Sequence, residues 1–256
     1  MNCAVLENRP LAGGFFYLSL KPDQPFGAIT PGQFVMIRCG DGLDPLLRRP
    51  MSVADFAPDG SRLGLLIQQK GKGTELLAEL QAGAHVDVIG LFGNGFDPPR
   101  GRVWMVAGGT GIAPFMGYVQ THRAQAGSLT VFLGARSAES LLMRDVFERA
   151  HVALRIATDD GSAGHHGLVT ALLEKALANE TPPEMILACG PEPMMTAVAA
   201  LAARRGVPCG VSLEARMACG FGACLGCVTK VKGPELYVTV CQKGPVFDAA
   251  QIEFGL

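Results

Sequence analysis

Short apolar runs fill the first 98 residues: FFYLSL at 15–20, QFVMIRC at 33–39, RLGLLIQ at 62–68 and HVDVIGLFG at 85–93. Clusters of Gly, Pro and Asp separate them. Apolar runs of strand length with turn residues between them predict a small antiparallel barrel, here of six strands. At FDPPRGR, residues 96–102, two prolines and a glycine break this rhythm. The next run, VWMVAGG, is apolar without alternation, as a strand buried on both faces is. The pattern therefore places a domain boundary at 98/99.

From Val103 the period changes. VWMVAGG, LTVFLGA, ALRIATDD and EMILACGP read as strands. The stretch from Pro114, then SAESLLMRDVFERA, LVTALLEKALANE and MMTAVAALAARR read as helices. Strand and helix in regular alternation predict a parallel sheet covered on both faces. After Val207 the regularity stops and cysteines and glycines crowd the chain. The expected fold class is mixed β and α/β in three pieces: a barrel at 1–98, an α/β nucleotide-binding domain at 99–207 and a small cysteine-rich domain at 208–256.

The length of 256 residues suits two ordinary domains and an appendage. Charged residues make up 18% of the chain, below the roughly 25% of soluble domains, which predicts a charge-poor surface suited to a protein partner. A net charge of −1 lacks the basic excess of a nucleic-acid or anionic-membrane binder. Glu7 and Arg9 interrupt the N-terminus where a signal peptide needs an apolar core, and no run of about 18 apolar residues occurs. A soluble, cytoplasmic protein is expected, in which the eight cysteines stay unpaired as disulfides and the clustered ones serve another purpose.

The first candidate chemistry is GGTGIAP, Gly108 to Pro114, between a buried strand and a helix. Glycines there let a phosphate approach the backbone, and the helix start offers free N–H donors. A tight turn needing positive φ would use the same residues. CGPEPMM, Cys189 to Met195, ends a later strand of the same sheet and should face the same crevice. In the barrel segment, Arg49 of RRPMS can pair with a pyrophosphate and Ser52 can bond a planar heterocycle. Gly73 and Thr74 of LIQQKGKGTELL open a second helix suited to phosphate. In isolation, these barrel residues also read as a surface charge and a loop.

A third group lies in EARMACGFGACLGCVTK. With Cys241 it forms C-x4-C-x2-C-x13-C: Cys219, Cys224, Cys227 and Cys241. The spacing offers two thiolates to each iron of a [2Fe–2S] cluster, and its first part matches plant-type ferredoxins. Gly220 and Gly222 would let the loop wrap the cluster. Zinc also takes four cysteines, usually as two separated C-x2-C pairs, and remains the alternative. Cys3, Cys39 and Cys209 read as packing residues. No acid/base pair or nucleophile stands outside these motifs, and His165 and His166 read as solvated residues of a glycine-rich turn. Oxidation of an organic substrate therefore belongs to another polypeptide.

The barrel, RPxS, GxGT, GGTGIAP and CGPxPM follow one another as in the ferredoxin-reductase-like flavoprotein family, which the chain resembles over residues 1 to about 205. Where plant-type members have a tyrosine before the serine, this chain has Pro50-Met51. The resemblance implies FAD on the barrel, held by Arg49, Pro50, Met51, Ser52, Leu66, Ile67, Gln68, Gly73 and Thr74. It implies NAD on the sheet, with Gly108, Gly109, Thr110, Gly111, Ile112, Ala113 and Pro114 at the pyrophosphate and Cys189, Gly190 and Pro191 at the nicotinamide. Arg136 of LGARS would meet the adenosine ribose or a 2′-phosphate, and the choice of NAD over NADP is itself implied by resemblance.

With the motif E-x-R-M-x-C-G-x-G-x-C-x-x-C after the nucleotide domain, and the loop TDDGSAGHHGLVT, the whole chain resembles the electron-transfer subunits of NAD-linked (class 1B) dihydroorotate dehydrogenases. That resemblance implies an FMN-containing catalytic partner that oxidises dihydroorotate, a heterotetramer of two copies of each subunit, and a place in pyrimidine biosynthesis. Related reductase modules of hydrogenases, sulfide dehydrogenases and transhydrogenases are the alternative, and a zinc-stabilised nucleotide-binding regulator a remote one.

Overall fold

The computed structural model describes residues 1–234 and 236–255. Strands β1 (Asn2–Leu11), β2 (Phe15–Pro22), β3 (Phe34–Ile37), β4 (Arg49–Phe56), β5 (Leu63–Gln68) and β6 (His85–Phe92), with helix α1 (Lys72–Ala78) before β6, make the first unit. They close into an antiparallel barrel in the order β1-β2-β5-β4-β3-β6. Alternation along each strand fills the interior: Phe16, Leu18 and Leu20 of β2, Val35 and Ile37 of β3, and Leu63, Leu65 and Ile67 of β5 share one core. Phe34 and Met36 leave β3 by its other face and join the core of the neighbouring sheet instead.

One seam of the barrel is unzipped. β4 pairs with β3 from Arg49 to Ser52, but with β5 only from Val53 to Phe56. Leu66, Ile67 and Gln68 of β5 pair on their far side with β2 alone. Pro50, which has no N–H to give, sits where β4 lacks its β5 neighbour, the edge position proline requires.

The second unit carries β7 (Val103–Gly108), α2 (Ala113–Thr121), β8 (Leu129–Ala135), α3 (Arg144–Arg149), β9 (Ala153–Thr158), β10 (His165–His166), α4 (Val169–Asn179), β11 (Met185–Cys189), α5 (Glu192–Arg204) and β12 (Cys209–Ser212). Its sheet runs β10-β9-β8-β7-β11-β12 and ends on β15 (Val246–Asp248). Phe115, Tyr118 and Val119 of α2 pack on one face, and Leu173, Leu177, Val198 and Leu201 of α4 and α5 on the other. The chain moves outward from β7 in both directions, so the crevice above β7 and β11 is the topological switch point where such sheets take ligands. The long helix expected over 137–150 is shorter: Met143 adopts a left-handed φ of 53°, and only Arg144–Arg149 is α-helical.

Residues beyond 207 contribute to this sheet. β12 pairs in parallel with β11, and after β13 (Val228–Lys230), β14 (Tyr237–Thr239) and the short α6 (Val240–Lys243), β15 (Val246–Asp248) returns to pair antiparallel with β12. The cysteine-rich loop is thus an excursion between two adjacent strands. Among the described residues no helix is long and apolar enough to cross a membrane.

Candidate functional site

The unzipped seam opens into a cavity of about 400 Å³. Pro50, Met51 and Ser52 form one lip and Leu66, Ile67 and Gln68 the other, with Arg49, Gly73 and Thr74 at one end. Unpaired strand edges present backbone N–H and C=O groups that must find partners. A planar heterocycle with donors and acceptors on its rim meets that need. At the α1 end, a Cβ on Gly73 would lie 3.2 Å from Arg49 Nε, so glycine lets the guanidinium lie across the helix start. Arg49 Nη1 is held by the Leu47 carbonyl at 2.6 Å. Thr74 Oγ1 accepts the Lys70 and Gly71 N–H groups at 2.9 and 3.2 Å, so its hydroxyl fixes the glycine loop.

Lys70 and Lys72 also line this cavity, and Lys72 Nζ lies 2.5 Å from Asp44. Sequence reasoning passed over both lysines, although their alternation with glycine in KGKGT was the available signal. With Arg49 they place three cations where a diphosphate would need them. Ser212 at the end of β12, with Leu213, Glu214, Ala215 and Met217 just past it, forms another part of the wall. They too were missed, although they leave the same carboxyl edge as the two glycine turns.

Of the residues expected at the nucleotide, Thr110, Ala113 and Cys189 reach this cavity. Gly108, Gly109, Gly111, Ile112 and Pro114 build the turn from β7 into α2 and lie outside its lining. Gly109 has φ +56 and open space around its missing Cβ, a bare backbone a phosphate can approach. A Cβ on Gly111 would collide with the Cys189 carbonyl oxygen, and one on Gly190 would lie 3.0 Å from Gly108 N. The two turns therefore touch backbone to backbone, which glycine alone permits. Burial pushes the Cys189 thiol up to about 12, with Glu214 adding to the effect, so it stays a neutral thiol. Gly190 and Pro191 face a second cavity of about 400 Å³ that Cys227 also lines. His165 and His166 extend the sheet edge beside β9.

The four clustered cysteines come in two pairs. The Cys224 N–H points at Cys219 Sγ from 3.4 Å and the Cys241 N–H at Cys227 Sγ from 3.4 Å. The Gly222 N–H donates to Cys241 Sγ at 3.1 Å. Backbone N–H groups, that of Phe221 foremost, push Cys219 down to about 6. Burial, then its bond to Cys227, pushes Cys241 up to about 12. Among the described residues no three His, Cys, Asp or Glu side chains gather closely enough for a single metal ion. Two thiol pairs with N–H groups aimed at their sulfurs fit a cluster whose two irons each take two thiolates. Gly220 has φ +84, and its Cβ would lie 2.5 Å from Met36 Cγ, so the loop is seated directly on β3. Phe221 continues an aromatic contact through Phe92, 6.2 Å away, to Phe34 at the first cavity.

Comparison with known proteins agrees with this layout. Residues 214–253 match the family model for the iron-sulfur cluster binding domain of dihydroorotate dehydrogenase B, and residues 105–200 that for an oxidoreductase NAD-binding domain. A dihydroorotate dehydrogenase B (NAD(+)) electron transfer subunit from Desulforamulus reducens is 38% identical over 252 residues, covering 97% of this chain and 96% of the relative. That of Caldanaerobacter subterraneus subsp. tengcongensis is 36% identical, covering 99% and 98%. Among solved structures, a chain of the NADH-dependent reduced ferredoxin-NADP oxidoreductase, described in connection with flavin-based electron bifurcation, superposes with a TM-score of 0.86 at 30% identity. The match covers 98% of this chain and 90% of that one.

Proposed function

This chain belongs to the family of dihydroorotate dehydrogenase B (NAD(+)) electron transfer subunits, and from that premise we propose that it carries electrons from a dihydroorotate-oxidising partner subunit to NAD+. The observation that carries the reading is that Thr110, Ala113 and Cys189 of the carboxyl-edge turns wall the seam cavity, while the cysteine loop is seated through Gly220 on β3, whose Phe34 lines the same cavity.

The barrel region 1–98 is assigned to FAD, 99–207 to NAD and 208–256 to the [2Fe–2S] cluster. Arg49, with Lys70 and Lys72, neutralises the diphosphate of FAD. Pro50, Met51 and Ser52 on one lip, and Leu66, Ile67 and Gln68 on the other, grip the ring through the seam, while Gly73 and Thr74 shape its phosphate end. When bound, the flavin supplies the conversion between two-electron exchange with nicotinamide and one-electron exchange with an iron–sulfur cluster. Gly108 to Pro114 receive the pyrophosphate of NAD, and Cys189, Gly190 and Pro191 border its nicotinamide. The neutral thiol of Cys189 adds no charge beside the positively charged ring of NAD+. Cys219, Cys224, Cys227 and Cys241 hold the cluster, with Cys224 on the exposed side of the loop facing an FMN-bearing partner. An assembly of two copies of each subunit is part of the same reading.

Anaerobic copurification of the chain with its native partners, followed by an assay of dihydroorotate-dependent NAD+ reduction, tests it. Activity in the complex, lost when the two subunits are separated, is the expected result. A complex replete in FMN, FAD and cluster but inert toward dihydroorotate would instead assign the chain to a reductase module of another kind. The similarity to the NADH-dependent ferredoxin-NADP oxidoreductase chain makes that the second reading.

A further inference from the structure

The seam cavity and the cysteine loop meet at the end of β6. Phe34 and Pro245 line the cavity, and Phe221 stands in the loop between Cys219 and Cys224. The Phe92 ring lies between them: its centroid is 5.9 Å from that of Phe34 and 6.2 Å from that of Phe221, within the roughly 4.5–7 Å of favourable aromatic pairs. Gly93 follows with φ +72, and its missing Cβ leaves room for the Gly244 carbonyl and the Pro245 ring, which would otherwise lie 2.7 and 2.5 Å away. Gln33 Nε2 donates to the Gly93 carbonyl at 3.1 Å and ties the segment to the start of β3.

Asn94 then clamps the return limb of the cysteine excursion. Its backbone N–H donates to the Gly244 carbonyl at 2.7 Å, its Nδ2 donates to the Lys243 carbonyl at 3.0 Å, and its Oδ1 accepts the Val246 N–H at 3.1 Å. Lys243 closes α6, the helix that carries Cys241. Three consecutive residues therefore reach the cavity wall, the loop of Cys219 and Cys224, and the limb of Cys241.

We propose that Phe92 and Asn94 are positioning residues for electron passage between the cluster and the flavin: Asn94 holds the Cys241 limb against the barrel, and Phe92 keeps the intervening gap filled. The assignment rests on the reading of the seam as the FAD site and of the four cysteines as the cluster site. Transfer between two fixed centres falls steeply with their separation, and an empty or water-filled gap couples them less well than packed atoms. Removing the Phe92 ring leaves a hole into which its neighbours relax only in part. Removing the Asn94 amide gives up both side-chain hydrogen bonds and frees the limb. Neither residue lines the seam cavity or supplies a thiolate, so exchange between flavin and nicotinamide is left alone.

The test mixes the full, flavin- and cluster-loaded chain with excess NADH under anaerobic conditions, which needs no partner. NADH gives up a hydride; one electron of that pair crosses the Phe92 gap and reduces one of the two irons, while the other stays on the flavin side with the proton. Stopped-flow bleaching of the flavin absorbance reports the first event, and rapid-freeze EPR of the reduced [2Fe–2S] centre the second. Phe92→Ala and Asn94→Ala are expected to bleach at the parental rate yet to reduce the cluster about tenfold more slowly, with parental iron content and g values. Phe92→Leu, which refills most of the space, should recover most of the rate. A parental rate of cluster reduction in both alanine variants overturns the proposal, as does a slowing accounted for by a lowered midpoint potential of the cluster. Should Phe92→Ala shed its cluster during purification, Asn94→Ala, at an exposed position, decides by the same two criteria. A parent that retains no flavin or no cluster sinks this proposal together with the cofactor reading. If both phases behave as expected while dihydroorotate fails as a donor, the partner assignment falls and this one stands.

Discussion

Gly111 is the residue on which the proposed nucleotide site depends most directly. Its missing Cβ is the space into which the Cys189 carbonyl fits, and that contact docks the turn after β7 on the turn after β11. Gly111→Ala forces the two apart. The expected result is a loss of about 1–3 kcal/mol of stability, as for other overpacked sites, together with weaker NADH binding in a titration of flavin fluorescence. At the cluster, replacing Cys219, Cys224, Cys227 or Cys241 singly by Ser removes one of four thiolates. EPR of the reduced protein should show a lost or altered [2Fe–2S] signal in each, and a full parental signal in all four would refute the ligand assignment. Single residues were also where the sequence was most explicit. Glycines and cysteines announce themselves by spacing, because few other residues can stand at a positive φ or bind iron. Lys70 and Lys72 did not, since a surface lysine and a phosphate-binding lysine look alike until a cavity lies beside them.

Among elements, β4 shows how a site is made by withholding a contact. The strand obeys its alternation, yet its last four residues pair with β5 and its first four do not, and the ligand edge is the part left over. Arg49→Ala is expected to leave the barrel folded and to reduce retained FAD, measured as flavin-to-protein absorbance after gel filtration. A second element-scale contact is the pair of hydrogen bonds from Arg155 on β9 to Glu180 at the end of α4, at 2.5 and 2.7 Å. Hydrogen bonding to Arg155 holds Glu180 below its ordinary value of 4.5. Because the folded value is the lower one, the pair stabilises fully above pH 4.5 and loses that contribution as pH falls through the folded value. Both groups are partly exposed, so Glu180→Gln should cost only about 0.5–1 kcal/mol at neutral pH. Denaturant midpoints of the two proteins should converge in acid. Four of the six barrel strands, and β7, β8, β9 and β11 of the sheet, could be read from apolar runs, whereas β1, β4 and the short β10, β12, β13 and β15 could not; the unzipped register of β4 was hidden too, because pairing partners far apart in sequence decide it. The shortened α3 was hidden as well: SAESLLMRDVFERA has helical periodicity throughout, and nothing in it announces the left-handed φ at Met143.

At the scale of the whole molecule, the three expected pieces share more than their linear order suggests. Cys209 and Val211 of β12 and Phe247 of β15 are buried in strands that complete the nucleotide-binding sheet. Cys209, read as a packing residue, is one. A chain ending at 207 would strip β12 from β11 and expose an apolar strand edge, so it is expected to aggregate or melt well below the parent in a thermal unfolding scan. A full-length chain with the four cysteines replaced by serine should keep NADH–ferricyanide activity, because its sheet is intact. Sequence periodicity separated the cysteine-rich end at 207 because glycine-rich loops hide two short strands, of four and three residues, that only tertiary pairing reveals.

The return of β15 has a consequence for how electrons enter. The loop that carries the cysteines departs from Ser212 and comes back at Val246, two residues that face each other across a strand pair. It is pinned at both ends by one strand pair, and Gly220 seats it on Met36. Other redox systems ferry charge on a tethered domain that shuttles between donor and acceptor. Here the two ends of the loop are fixed to one strand pair of the nucleotide-binding sheet, so a docking partner would meet the cysteines in register with that sheet.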